Sequence, residues 1–414
     1  MVPKGWEIKH LSELASKISD GIHKTPLYAD TSEIYFINGN NLKSGSIVIQ
    51  DSTKCVDEND AINHRKDLGV RTLLMSINGT IGNLAYYRGE NVVLGKSASY
   101  INIKDSVNLD FIYYVLSSSK TQAFYESELT GTTIRNLSIK SIKSTEILTP
   151  PLPEQKKIAQ ILSTWDKAIS VTEKLLTNSQ QQKKALMQQL LTGRKRLRDE
   201  NGVRFSGEWE YTIFGNLGDT YTGLTGKTKE DFGAGKPYIP YINIFKNSRI
   251  DIQNLEYVQV NDDERQSVVK YGDIFFTTSS ETPEEVGMSS VLLEEVSEVF
   301  LNSFCFGFRL NNFETLIPKY ARYLFRSEHV RRQISTLGQG ATRYNLSKRQ
   351  LIKLELKLPC VEEQQKIAAV LSAADAEIST LEKKLACLKD EKKALMQQLL
   401  TGKRRVKVDE AVAV

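Results

Sequence analysis

The strongest constraint on this chain is that it repeats itself. The segment from Glu154 to Arg196 recurs without a gap, 209 residues later, as Glu363 to Arg405; 25 of the 43 aligned positions are identical. Eleven consecutive residues, Lys183-Lys184-Ala185-Leu186-Met187-Gln188-Gln189-Leu190-Leu191-Thr192-Gly193, reappear unchanged from Lys392 to Gly402. The same offset runs upstream more faintly: Gly131, Thr133, Asn136, Leu137 and Ser138 match Gly340, Thr342, Asn345, Leu346 and Ser347, and Tyr114 matches Tyr323. Trp6-Glu7 returns as Trp209-Glu210 at a slightly shorter offset. A period of this length is a duplicated module, not a solenoid repeat. The expected result is one module of about 200 residues written twice, with pseudo-two-fold symmetry.

Each copy divides in two. Residues 1–150 and 201–358 mix strand-like runs, such as Ser46 to Ile49, Leu73 to Ile77, Ser99 to Ile103 and Asp273 to Thr277, with Asn-Gly turn signals at Asn38-Gly39 and Asn78-Gly79. Shorter helical patterns lie between, at Leu109 to Leu116 and Ile317 to Phe325. This predicts an α+β fold with two similar strand-rich heads. Residues 151–200 form a central helix, and residues 359–414 a C-terminal helix and tail.

Pro150, Pro151 and Pro153 stop the preceding segment, and Pro153 suits the first turn of a helix. Glu154, Glu362 and Glu363 place carboxylates where the helix dipole favours them. Gly193 and Gly402 fit the position just past each helix end. In the second helix Ile367, Leu371, Ala374, Ile378, Leu381, Leu385, Leu388, Leu395 and Leu399 follow a spacing of 4,3,4,3,4,3,7,4, with Lys392 in the skipped position. That is a 3.5-residue coiled-coil seam. Paired as symmetry equivalents, the two helices run antiparallel. About 39 helical residues would make a rod of roughly 58 Å with a head at either end.

Hydrophobic residues make up 40% of the 414 and charged residues 25%, which excludes a disordered or collagenous chain. No apolar run reaches membrane-spanning length, and Met1 to Trp6 shows no leader-like apolar segment, so a cytoplasmic protein is expected. Cys55, Cys305, Cys360 and Cys387 show no paired spacing and do not cluster with His10, His23, His64 or His329, so no metal site is expected. Tyr221 to Thr228 ends like a phosphate-binding loop but has Tyr221 where the first glycine is required. Thr149-Pro150-Pro151-Leu152 lacks the Asn and the aromatic residue of an amino-methyltransferase tetrapeptide. A non-catalytic chain without a cofactor is therefore expected.

Polar loops and basic residues remain. In the first head the candidates are Lys24, Asn38, Asn40, Asn41, Asn78, Thr80, Lys96 and Arg135, with Thr132, Thr133 and Ile134 in the loop before Arg135; in the second they are Lys227, Asn243, Lys246, Thr278, Ser279 and Arg343. Asn pairs bidentately with adenine, Arg and Lys with guanine, and hydroxyls with phosphates. Each loop taken alone could be an ordinary turn; matched sets on two heads point to double-stranded DNA. The net charge of +5 is too small to attract DNA unless it is clustered. Basic residues crowd both helix ends, Arg194 to Arg198 and Lys403 to Lys407, where they either cap the dipole or touch phosphate. Leu186, Met187 and Leu190, with their copies Leu395, Met396 and Leu399, either close the seam or dock partner helices.

The whole chain resembles the specificity subunits of type I restriction–modification systems. The resemblance rests on the twin Pro-x-x-x-Glu-Gln-x-x-Ile-Ala segments from Pro150 and Pro359, the twin eleven-residue segments, and Ser76-Ile77-Asn78-Gly79-Thr80-Ile81-Gly82. The second head has Thr277 to Gly287 in place of that last motif. The resemblance implies two target-recognition domains, each reading one half of a bipartite, asymmetric DNA site. It implies docking of two modification subunits that methylate adenine with S-adenosylmethionine, and of ATP-driven motor-nuclease subunits, so that both cofactors belong to the partners. Two readings compete: a recognition subunit serving a fused methyltransferase–nuclease chain, and a stand-alone DNA-binding regulator or structural coiled coil. A regulator would normally be a symmetric dimer reading a palindrome, which two different heads on one chain disfavour.

If the helices act as a ruler, one heptad added to each lengthens the rod by about 10 Å, or roughly three base pairs at ~3.4 Å each. It also turns one head by about 100° around the duplex. Seven residues keep the seam in phase; two do not. The heptad variant is expected to keep its preferred bases and select a longer spacer from a library of randomised spacer lengths, whereas a two-residue variant loses stability. An unchanged spacer would show that the helices do not set the distance.

Overall fold

The computed structural model describes residues 2–131, 135–340 and 342–408. The chain forms two compact units. One comprises residues up to Glu173 together with those from Lys383 onward; the other comprises Lys174–Glu382. The sequence boundaries at 150, 200 and 358 separate heads from helices. Packing instead groups each head with the first half of the helix that follows it and the last half of the other helix.

Both units are built on one plan. In the first, Ala15–Asp20, Thr72–Ser76, Leu84–Tyr86 and Ala98–Ile103 form a four-stranded sheet in which Ala98–Ile103 lies between Ala15–Asp20 and Thr72–Ser76, and Leu84–Tyr86 is outermost. The second repeats that order with Gly218–Thr222, Ile274–Thr277, Ser289–Val291 and Cys305–Leu310. All pairings in both sheets are antiparallel. The central strands Thr72–Ser76 and Ile274–Thr277 are buried along their whole length, because the sheet is covered on both faces. A smaller sheet covers one face: Val92–Leu94, Tyr35–Ile37, Cys55–Val56 and Tyr28–Ala29 in the first unit, and Phe232–Ile239 with Glu256–Val258 and Phe300–Leu301 in the second. Helices Leu109–Leu116 and Ser119–Ser127, and their counterparts Pro318–Leu324 and Glu328–Thr336, lie in the other layer. The expected α+β heads are present.

The long helices run from Leu152 to Leu190 and from Val361 to Leu399. Gly193 and Gly402 follow them at φ +70° and +68°, the left-handed conformation expected past a helix end. A Cβ on Gly402 would also lie 2.4 Å from Pro3. Every apolar position of the predicted seam in the second helix is buried or half-buried. Within each unit the helix segments run antiparallel: Glu173 pairs with Lys389 at 2.7 Å in the first, and Ser179 bonds Glu377 at 3.0 Å in the second. Lys392, in the skipped seam position, pairs with Asp166, which also accepts the Tyr114 hydroxyl at 2.6 Å. Its copy Lys183 meets Asp375 at 2.5 Å, and Asp375 accepts the Tyr323 hydroxyl at 2.7 Å. Each lysine thus ties the two helices of its unit to the head.

A second tie sits where each head meets its helix. Glu154 accepts the Trp6 indole N–H at 3.0 Å and a bidentate Arg405 guanidinium at 2.7 and 2.9 Å. Glu363 accepts the Trp209 indole at 3.2 Å and Arg196 at 2.7 and 2.6 Å. The next residue helps as well: Gln155 and Gln364 donate to Pro150 O and Pro359 O and accept from the backbone N–H groups of Asn108 and Ile317. Arg196 and Arg405 thus have a role that neither capping nor phosphate contact describes: each pairs with a carboxylate in the first turn of the other long helix. The pairing with Glu363 and Glu154 holds both guanidinium groups above the usual arginine range.

Removing one partner of a buried ion pair strands the other. Glu363 is fully buried and Arg196 has a side-chain exposure of 20%, against 6% and 45% for Glu154 and Arg405. Glu363→Gln is therefore expected to destabilise the second unit by about 3 kcal/mol in urea unfolding. Glu154→Gln should cost the first unit measurably less, because water reaches Arg405. Equal losses would show that exposure does not control the pair.

Candidate nucleic-acid interface

In each unit the loops that follow the central strand meet residues from distant parts of the chain. In the first, Ser76 and Asn83 close the loop: Ser76 N donates to Asn83 O and Asn83 N to the Ser76 hydroxyl. Ile77 N donates to Ser97 O, Leu137 N to Ile77 O, and Asn78 forms a backbone bridge with Asn136. The Ser97 hydroxyl donates to Asn38 Oδ1 at 2.8 Å and accepts the Gly39 N–H at 2.9 Å, and Thr80 Oγ1 donates to Gly39 O at 3.3 Å. Asn38, Asn78, Thr80 and the Lys96-Ser97 turn are thereby gathered at one end of the sheet. Asn38 and Asn78 are half-buried; Asn40, Thr80 and Lys96 are exposed. The Asn78 side-chain oxygen is buried without a donor among the described residues.

The second unit makes the same connections with different side chains. Thr278 N donates to Phe304 O, Leu346 N to Thr278 O, and Ser279 pairs with Asn345. Ser279 therefore stands where the first unit has Asn78, and Phe304 where it has Ser97. Phe304 is 65% exposed. Its carbonyl also accepts the Thr278 hydroxyl at 2.7 Å, and its N–H donates to Asn302 Oδ1 at 2.8 Å, so a rigid turn presents the ring. The Tyr241 hydroxyl donates to Ser279 O at 2.9 Å, and Arg343 is exposed on the adjoining loop.

Several of the sequence candidates occupy other roles. Asn41 accepts the Asn38 N–H and donates to Val48 O, which commits its amide to shaping the turn. Asn243 is 3% exposed; its amide donates to Asp251 O and Asn254 O, and its oxygen accepts the Asp251 N–H. Helix Tyr241–Lys246 turns Asn243 inward and leaves Tyr241, two residues earlier, at the site. The helical period, missed because the stretch is short and apolar, decides which of the two faces out. Lys227 has a side-chain exposure of 6% and pairs with Glu264 at 2.5 Å, so its charge is neutralised inside the fold. That partner holds the Glu264 carboxyl down at about 2. Lys24, Lys96 and Lys246 are exposed without a carboxylate partner among the described residues. Arg135 pairs with Glu126 at 2.8 Å on an open surface, where such a pair is worth little and exchanges readily. Thr132, Thr133 and Ile134 lie outside the described residues. Phe304 carried no polar or charged signal in the sequence.

The docking candidates also divide. Leu190 and Leu399 are buried in the cores of their own units, beside Trp209 and in the cluster that holds Trp6. They close each unit and are not available to a partner. Leu186, Met187, Leu395 and Met396 are half-buried and keep an exposed face.

The family model for type I restriction modification DNA specificity domains matches this chain twice, over residues 3–178 and 207–389. The chain belongs to that family and carries two copies of its domain. It is 24% identical over 427 residues to the MjaVIII specificity subunit of a type I restriction enzyme from Methanocaldococcus jannaschii, covering 98% of this chain and 94% of that one. Identity to the EcoKI specificity subunit of Escherichia coli K12 is 22% over 421 residues, covering 93% and 85%. The fold matches the S subunit of the type I restriction-modification system from M. genitalium with a TM-score of 0.57 at 17% identity, covering 95% and 96% of the two chains. No helix among the described residues is long and apolar enough to cross a membrane.

Because the buried Asn243 side chain satisfies three backbone groups of the next loop, Asn243→Ala is expected to cost about 2 kcal/mol of stability. Tyr241→Phe, which removes one half-buried hydroxyl, should cost under about 1 kcal/mol. Thermal unfolding of the two variants checks the assignment; a well-folded Asn243→Ala with wild-type stability would return Asn243 to the list of surface readers.

Proposed function

We propose that this chain is the DNA-reading subunit of a type I restriction–modification complex, with each unit reading one half of a bipartite, asymmetric duplex site. One observation carries the reading. The two sheets share strand order and loop connections, yet equivalent positions at the loop end differ: Asn78 against Ser279, Ser97 against Phe304, and a loop of six residues from Ile77 to Gly82 against ten from Thr278 to Gly287. A shared scaffold with unlike chemistry at one end is what two different readers on one chain require. Asn78 offers an amide N–H suited to a purine N7 acceptor, whereas the Phe304 ring suits an apolar contact such as a thymine methyl group. Thr80, Thr278 and the exposed Lys24, Lys96 and Lys246 suit phosphates.

The chain's part in the reaction is recognition and scaffolding. Modification subunits dock on the long helices through the exposed faces of Leu186, Met187, Leu395 and Met396, and bring S-adenosylmethionine; motor-nuclease subunits bring ATP. The repeat supports two equivalent docking positions, since the eleven-residue segment occurs once in each unit.

Selection of duplexes from a fully randomised library by the full chain tests the reading. Two short, different base preferences separated by an unread spacer are expected. Asn78→Ala should relax only one of them and Phe304→Ala only the other, each costing about 1–3 kcal/mol at one base pair. A single palindromic preference, or relaxation of both halves by either substitution, would overturn it.

A further inference from the structure

The helix behind each reading loop grips that loop at the same point. Gln122 of helix Ser119–Ser127 donates its amide N–H to Gly82 O at 3.2 Å and to Leu116 O at 2.7 Å. Arg331 of helix Glu328–Thr336 stands 209 residues later, at the equivalent position of the repeat. It donates to Gly287 O at 2.6 Å, Val286 O at 2.6 Å and Glu284 O at 2.8 Å. Gly82 and Gly287 both close their loops at positive φ, +80° and +62°. Neither has room for a Cβ, which would lie 2.2 Å from the Gln122 amide oxygen in one unit, and 2.5 Å from Leu346 and 2.9 Å from Ile334 in the other. In the first unit the clamp itself fills that space; in the second, Leu346 and Ile334 fill it beside the Arg331 bonds.

The clamp side chain matches its loop in reach. The six-residue loop is held by a glutamine at one carbonyl; the ten-residue loop is held by an arginine at three. Arg331 has no carboxylate partner among the described residues, and burial lowers its guanidinium to about 10. A largely buried cation that spends its donors on one loop's carbonyls stays in place only because that loop keeps its shape. The converse also holds: without Arg331, three carbonyls of the loop lose their donor.

We propose that Gln122 and Arg331 are specificity-positioning residues, each fixing from behind the loop that presents Asn78 and Thr80 in the first unit and Thr278 and Ser279 in the second, without touching DNA. The inference rests on the DNA-reading function proposed above. Recognition by hydrogen bonds needs donors and acceptors held to within about half an ångström, and a loop released at its glycine loses that precision while its side chains remain. Loop and clamp then act as one specificity unit, and a loop exchanged between heads requires its own clamp.

The test uses the full chain, a randomised duplex library, and amide hydrogen exchange of residues 278–287. Arg331→Ala is expected to lose about tenfold in discrimination at one half-site, with the other half-site and sequence-independent binding unchanged, and to speed exchange in its loop alone. Arg331→Gln, which supplies the first unit's clamp, should fall between wild type and Arg331→Ala. Gln122→Ala should act on the opposite half-site. If Arg331→Ala does not fold, Arg331→Gln and Arg331→Lys carry the comparison. A folded Arg331 variant with wild-type base preference, or one that weakens both half-sites equally, would overturn the proposal alone. A wild-type chain that enriches no sequence at all would overturn the reading function and this proposal with it.

Discussion

Glu154 and Glu363 are the points through which each unit is closed. Each carboxylate sits in the first turn of one long helix, accepts an indole N–H from the start of its head, and takes a bidentate arginine from just beyond the end of the other long helix. At Glu154 three segments distant in sequence converge on one buried charge; at Glu363 two do, since Arg196 and Trp209 lie on one stretch of chain. A buried carboxylate is tolerated only when its lone pairs are filled by well-aligned donors. Neither head can therefore move off its helix, nor the helix ends separate, without exposing an unpaired charge. The Asp166–Lys392 and Asp375–Lys183 pairs repeat the logic further along the helices, with Tyr114 and Tyr323 adding the head's contribution.

These ties explain why the repeated segments are so alike and the heads so different. A helix segment that must meet an aspartate, a tyrosine and a glutamate in both units has little freedom at Lys183, Arg196, Lys392 or Arg405. The loop ends of the sheets carry no such obligation. Their backbones are held by main-chain bonds, Ile77 to Ser97 and Thr278 to Phe304, and from behind by Gln122 and Arg331, which leaves the outward-facing side chains out of the support. Side chains there can change without loss of the fold, which is the condition for a recognition surface that varies over a fixed scaffold. Membership of the type I restriction modification DNA specificity domain family agrees with this division of labour.

Much of the architecture was legible in the sequence. The duplication, the helix limits near Pro153 and Gly193, the seam of Ile367 to Leu399 and the helix Leu109–Leu116 follow from local rules: period, caps and turn residues. Two clusters of polar loops were legible too, and Asn38, Asn78 and Thr80 do come together, as do Thr278 and Ser279. Asn243 and Lys227 do not join them. An asparagine that stabilises a loop from inside and one that faces solvent look alike in sequence, and a lysine buried against a glutamate looks like any other lysine. Phe304 was invisible for the opposite reason, since an apolar residue at the end of a strand reads as core.

The sequence by itself determined the repeat, the element types and the equivalence of the two heads, because these depend on residue spacing along one chain. Tertiary structure decided which side chains became free. Glu154 meets Arg405 across 251 residues and Arg331 reaches Gly287 across 44. Whether a polar group is spent inside the fold or left facing outward is set by such partners, and nothing in the local pattern names them.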